Sequence, residues 1–121
     1  MLFEFDPDLG VNGTYTKKLD FSDAIGAYPT GSVLVEGDNS VLYGLTSSGG
    51  DEGTGVLFQY DYVNNTYEAT FSFTAYTGFG PLGSLAKASN GKFYGLTHYF
   101  AAGPGVLFEY DPATGANGTY T

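Results

Sequence analysis

Leu2 to Asp6 with Pro7 (LFEFDP), Leu57 to Asp61 (LFQYD) and Leu107 to Asp111 with Pro112 (LFEYDP) are near-copies of one another, and each leads through a short polar turn to a Thr-Tyr pair. The copies start 55 and then 50 residues apart. A recurrence of about 50 residues marks a repeat architecture, in which each copy is one small unit that cannot bury its own apolar faces and needs its neighbours.

A second block repeats in step. Tyr28-Pro29-Thr30-Gly31-Ser32 matches Gly80-Pro81-Leu82-Gly83-Ser84, and Leu42-Tyr43-Gly44-Leu45-Thr46 matches Phe93-Tyr94-Gly95-Leu96-Thr97, at offsets of 52 and 51. Insertions are confined to turns, as expected where strands carry the constraint. Each period predicts four strands. The first covers 32–36 and 84–88 and ends in a hairpin turn at Gly37-Asp38-Asn39-Ser40 or Asn90-Gly91. The second covers 41–46 and 92–97, and a Gly-rich loop then leads to the third at 56–61 and 106–111. The fourth covers 66–73, with an earlier copy at 14–21.

Alternation in the fourth strand puts Tyr15, Leu19 and Phe21, like Tyr67, Phe71 and Phe73, on one face and Lys18, Asp20, Glu68 and Ser72 on the other, the pattern of a half-buried outer strand. The first and second strands are nearly continuous in apolar and small residues, which predicts cover on both faces. Gly44 and Gly95 predict close backbone approach from a neighbour.

Composition removes several function classes. Eleven Tyr and ten Phe supply a β core, whereas four lysines and no arginine stand against 13 carboxylates, for a net charge of −9. A phosphate-rich partner is repelled, which argues against nucleic acid and anionic membranes. Without cysteine there is no disulfide, thiolate metal site or cysteine nucleophile. No run approaches the roughly 18 apolar residues of a membrane-spanning helix. The acidic opening, Met1-Leu2-Phe3-Glu4-Phe5-Asp6, differs from a basic signal-peptide start.

Four antiparallel strands per period of about 50 residues, graded from buried to half-exposed, read as a β-propeller blade. The motifs Pro-x-Gly-Ser, (Leu/Phe)-Tyr-Gly-Leu-Thr, Gly-Val-Leu-Phe-(Glu/Gln)-Tyr-Asp and the Thr-Tyr pair together resemble the GloVer-type tandem repeat of bacterial surface and secreted proteins, a kelch-like repeat, over nearly the whole chain. The resemblance implies an extracellular or cell-surface place and no characterised reaction.

The expected architecture is all-β: about two and a half tandem four-stranded blades, with a partial blade of third and fourth strands at 1–28, a blade at 29–80 and a blade with a truncated last strand at 81–121. A ring needs roughly four to eight blades, so one chain cannot close one. The expected partners are therefore other copies, in an oligomer or fibre, or further blades of a longer parent chain, of which a start in mid-repeat would make this an excerpt. Unclosed terminal blades expose broad faces suited to head-to-tail association.

The acidic surplus invites a glycosidase pair, but Gln59 replaces the glutamate recurring at Glu4 and Glu109, and Asp6, Asp61 and Asp111 sit at strand ends where an Asx-type turn explains them. The lone His98 has no recurring carboxylate or hydroxyl partner. Asp51 and Glu52, among Gly49, Gly50 and Gly53, offer oxygen ligands of the kind calcium takes, yet the matching loop has no acid, so a solvated loop and no metal is the expectation. No cofactor is expected. Asn12, Asn64 and Asn117 each begin an Asn-x-Thr triplet in the turn between third and fourth strands, which accepts an N-glycan in a secreted protein and also makes a good tight turn.

Strand direction gathers the long loops at one end, with Tyr28, Tyr76, Phe79, Tyr99 and Phe100 beside Asp51, Glu52 and His98. Such aromatic rings stack on a glycan or a protein partner, or else cap the seams between blades. The leading functional expectation is a non-catalytic extracellular structural or binding module. Two others stand beside it: a fragment of a carbohydrate-active propeller enzyme with its catalytic residues in other blades, and a self-assembling fibre subunit.

Overall fold

The computed structural model describes residues 1–114 and the strand Thr119–Tyr120. It is built of antiparallel strands in three successive open sheets. β1 (Leu2–Asp6) pairs with β2 (Thr14–Leu19). The middle sheet holds β3 (Val35–Glu36), β4 (Val41–Thr46), β5 (Val56–Asp61) and β6 (Thr66–Ser72), side by side in chain order. The last sheet repeats that order with β7 (Ala86–Lys87), β8 (Phe93–Thr97), β9 (Val106–Asp111) and β10 (Thr119–Tyr120). β1 and β2 thus stand where β5 and β6 stand in the complete sheet.

The second and third strands follow the sequence pattern closely in their bounds, because their β-branched and aromatic residues suit a pleated surface; the expected cover on both faces holds for β4 and fails for β8, where Leu96 is exposed on the outer face of the last sheet. The first strands do not. They are two residues long rather than five, and Glu36, Ala86 and Lys87 are exposed. The Pro-x-Gly-Ser segments before them bond through side chains instead of a ladder. Ser32 Oγ accepts the Leu45 N–H at 3.0 Å, and Ser84 Oγ reaches back one unit to accept the Val33 N–H at 2.7 Å.

The fourth strand lies at its sheet edge as expected, but its simple alternation fails. Leu57 opposes Phe71 while Phe58 opposes Ala69, so Thr70 is an extra residue, a bulge. Lys18 is its counterpart between Leu19, opposite Leu2, and Lys17, opposite Phe3. One added residue reverses the side to which everything beyond it points. Tyr67 therefore shares a face with Phe58 and Tyr60, and Phe71 and Phe73 share the other with Leu57.

This reversal builds the core. Toward the N-terminal sheet, Phe58 and Tyr67 meet Phe21, with ring centroids 5.3 and 6.0 Å away. Toward the last sheet, Phe73 meets Phe108 at 5.4 Å, the same pairing one period later. Tyr43, Leu45, Leu57, Phe73, Leu85, Phe93, Phe108 and Tyr110 form one buried cluster between the middle and last sheets.

Gly44 and Gly95 do answer a close approach, though by a side chain rather than a backbone. Gly44 is opposite Phe58, whose ring lies across it, and a Cβ on Gly44 would fall 2.5 Å from Phe58 Cζ and 3.0 Å from Leu34. Gly95 stands in the same relation to Phe108 and Leu85.

Candidate functional site

The long loops gather at one end, joined in pairs across successive units. Ala27 and Ser48 exchange backbone hydrogen bonds of 2.7 and 3.1 Å, and Phe79 and Tyr99 repeat the exchange at 2.9 and 3.1 Å. Gly50 N–H donates to the Asp23 carbonyl and Ala101 N–H to that of Ala75. The threonine that closes Tyr-Gly-Leu-Thr locks this end. Buried Thr46 Oγ1 accepts the Val56 N–H at 3.1 Å and donates to the Ser48 carbonyl at 2.9 Å. Thr97 does the same with Val106 and Tyr99.

The expected binding residues divide into separate groups here. Phe79 stacks on Tyr99 with centroids 5.2 Å apart, and exposed His98 leans on the same tyrosine at 4.1 Å. Tyr28 and Tyr76 are largely exposed, and half-buried Phe100 closes a tight turn to Gly103. Asp51 and Glu52 project into solvent on the middle loop. Among the described residues nothing brings either acid into an ion pair with His98 or with any lysine.

At the opposite end the recurring aspartates make turns. Asp6, Asp61 and Asp111 each accept the backbone N–H two residues on, at 2.9 Å. Asn64 donates from its backbone and side chain to Asp61, and these bonds hold that carboxyl below its ordinary pKa. Asn12 and Asn64 are exposed in this turn. Asn117 lies outside the described residues.

The outer faces of the first and last sheets expose residues whose repeat counterparts are buried. Leu45 and Leu57 are 1% and 0% exposed beneath the last sheet, while their repeats on it, Leu96 and Leu107, are 63% and 69% exposed. On the other side Phe58 and Phe108 are both 1% exposed, while their repeat Phe3 is 55% exposed, with Phe5 at 53% and Tyr15 stacked on Phe3. Beside Leu96 and Leu107, Lys92 Nζ lies 2.6 Å from Glu109 Oε1, and Tyr94 donates to Glu109 Oε2 at 2.7 Å. The lysine first and the tyrosine second lower the Glu109 pKa.

The sequence profile of the Gloeobacter/Verrucomicrobia repeat matches residues 1–121. The chain belongs to that repeat family. No curated protein and no solved structure matches it.

For this Gloeobacter/Verrucomicrobia repeat, the residues that recur are those that shape sheets, turns and inter-sheet contacts. It has no cysteine, and among the described residues no group of three or more His, Asp or Glu could hold a metal ion. No catalytic constellation stands among the described residues, and none of their helices is long and apolar enough to cross a membrane. Sequence reading foresaw open terminal faces without naming what lines them. The period holds that signal: Phe3, Leu96 and Leu107 occupy positions that are core elsewhere in the chain.

Proposed function

We propose that the chain is a non-catalytic extracellular structural module, with kelch-like propeller blades at 1–28, 29–80 and 81–121, that associates head to tail through its outer sheet faces with other copies. The supporting observation is that two repeat positions are core in one unit, at Leu45 and Leu57, and solvent-facing in the next, at Leu96 and Leu107. A face made of Phe3, Phe5 and Tyr15 belongs to the type that already packs on such leucines within the chain. Burying each of these side chains stabilises by about 1.5–3 kcal/mol. Two different faces joined head to tail give rings or open filaments rather than a twofold dimer.

Sedimentation over a rising concentration series tests this. Wild-type chain is expected to exceed monomer mass, whereas Leu96→Glu with Leu107→Glu, and separately Phe3→Glu with Phe5→Glu, stay monomeric. Mixing the two double variants restores a dimer and nothing longer, since each retains one intact face. A wild-type chain monomeric throughout overturns the proposal.

A glycan-binding role at the loop end is a second reading, favoured by the 83% exposure of Tyr76 and by the Phe79–Tyr99 stack with His98. Exposed aromatic rings of this kind stack on sugars. Binding to a glycan panel without turnover, weakened by Tyr76→Ala or Tyr99→Ala, is the expected result; retention of binding by both variants overturns it.

A further inference from the structure

Where the first sheet meets the middle one, two repeat positions carry residues that their counterparts do not. Asn65 closes the turn before β6 in the left-handed conformation, at φ 53°, where the sequence has Gly13 one period earlier and Gly118 one period later. Lys18 is the bulge residue of β2, in the place that Thr70 takes on β6. A bulge re-aims the side chain it carries. Here the lysine reaches the middle sheet, and its side chain is only 18% exposed.

The two residues meet there. Lys18 Nζ lies 3.5 Å from Asn65 Oδ1 and 3.5 Å from Glu4 Oε1. The hydroxyl of buried Tyr60 donates to the same Asn65 oxygen at 2.7 Å. A surface ion pair accounts for Lys18 and Glu4 but leaves unexplained an asparagine in a place that suits glycine. An amine beside an amide, a carboxylate on the amine and a hydroxyl on the amide oxygen are together the parts of an acyl transfer.

We infer that Lys18 and Asn65 are the two ends of a self-formed isopeptide cross-link between the first and middle sheets. Glu4 takes a proton from the Lys18 ammonium, and the freed Nζ attacks Asn65 Cγ. The Tyr60 hydroxyl holds the oxygen while negative charge gathers on it. A proton then passes from the attacking nitrogen to Nδ2, the Cγ–Nδ2 bond breaks, and ammonia leaves with the proton that Glu4 held. One C–N bond forms, one breaks, and nothing is oxidised or reduced. Asn65 is exposed, so the ammonium escapes into water. Folding supplies the encounter, holding as neighbours two residues 47 apart in the chain. The bond fastens two sheets that share no strand pairing, at the joint where Phe21 packs on Phe58 and Tyr67.

The test takes the full chain, folded by circular dichroism and incubated at neutral pH, and reads its intact mass and its proteolytic peptides by tandem mass spectrometry. The expected result is a mass short by one ammonia and a branched peptide joining Lys18 to Asn65. Asn65→Gly keeps the turn, since glycine holds it at Gly13, and should show the full sequence mass, as should Lys18→Arg. Glu4→Gln is expected to slow bond formation about a hundredfold or more. The inference is overturned by full sequence mass in the folded wild-type chain, or by bond formation at an unchanged rate in Glu4→Gln. Ammonia loss that Asn65→Gly retains assigns it to the Asn-Gly pairs at Asn12, Asn90 and Asn117 and overturns it equally.

Discussion

The ring of Tyr43 on β4 lies against that of Phe93 on β8, with centroids 4.5 Å apart and planes inclined by 39°. Both are buried, and they join two sheets that share no strand pairing. Tyr43→Ala is expected to cost about 3–5 kcal/mol, the range for removing a large core ring. Urea unfolding measures it; a midpoint unchanged from wild type would show that the two sheets do not depend on this contact.

Glycine at 44 and 95 is expected to be irreplaceable even by small β-formers. Gly44→Val gains strand propensity worth at most about 1 kcal/mol and loses more to the ring of Phe58. Thermal unfolding should place Gly44→Val and Gly95→Val below wild type. The pairing of Gly44→Val with Phe58→Ala should recover part of the loss, because the colliding ring is gone.

Thr46→Val keeps shape and removes the acceptor of the buried Val56 N–H. The cost is expected near 1–3 kcal/mol, the penalty of an unpaired buried group. Thr46→Ser keeps the hydroxyl and should retain most of the stability. Stability kept by Thr46→Val and lost by Thr46→Ser, read by denaturant melts, would point to packing of the threonine methyl instead.

Alkaline pH is expected to unfold the chain cooperatively. Burial first, with Tyr110 and Asp38 behind it, pushes the Tyr43 phenol up to about 12, and burial also raises Tyr67 and Tyr110. A raised folded pKa means the neutral phenol is favoured in the fold. The stabilisation is complete below the ordinary tyrosine value of about 10 and is lost as pH climbs toward the folded value. Tyrosinate absorbance and circular dichroism should therefore change together above pH of about 10, and full titration with the sheets intact would contradict the burial described.

Much of the strand plan was legible because the period states the third strand three times and the first and second twice. Val41–Thr46, Val56–Asp61 and Val106–Asp111 have the ends that their turn residues suggest. The bulges at Lys18 and Thr70 were not legible, since an extra residue leaves strand composition unchanged and shows only in the register. The short first strands were hidden for a related reason: Ser32 and Ser84 read as strand residues, while their hydroxyls accept backbone N–H groups, Ser32 that of Leu45 and Ser84 that of Val33 in the preceding unit. At the loop end, strand direction set the long loops side by side, and the Ala27–Ser48 and Phe79–Tyr99 backbone exchanges join them. It gave no means of separating His98, which touches Tyr99, from Asp51 and Glu52.

Thr70 acts on its strand as a single inserted letter acts on a reading frame. Upstream of it aromatic rings are addressed to one neighbour, downstream to the other, so a sequence with one kind of hydrophobic repeat furnishes two adhesive sides. Excising that residue would send Phe71 and Phe73 to the wrong neighbour and strip Phe108 of the ring it meets, severing the series at that joint while leaving every other letter in place.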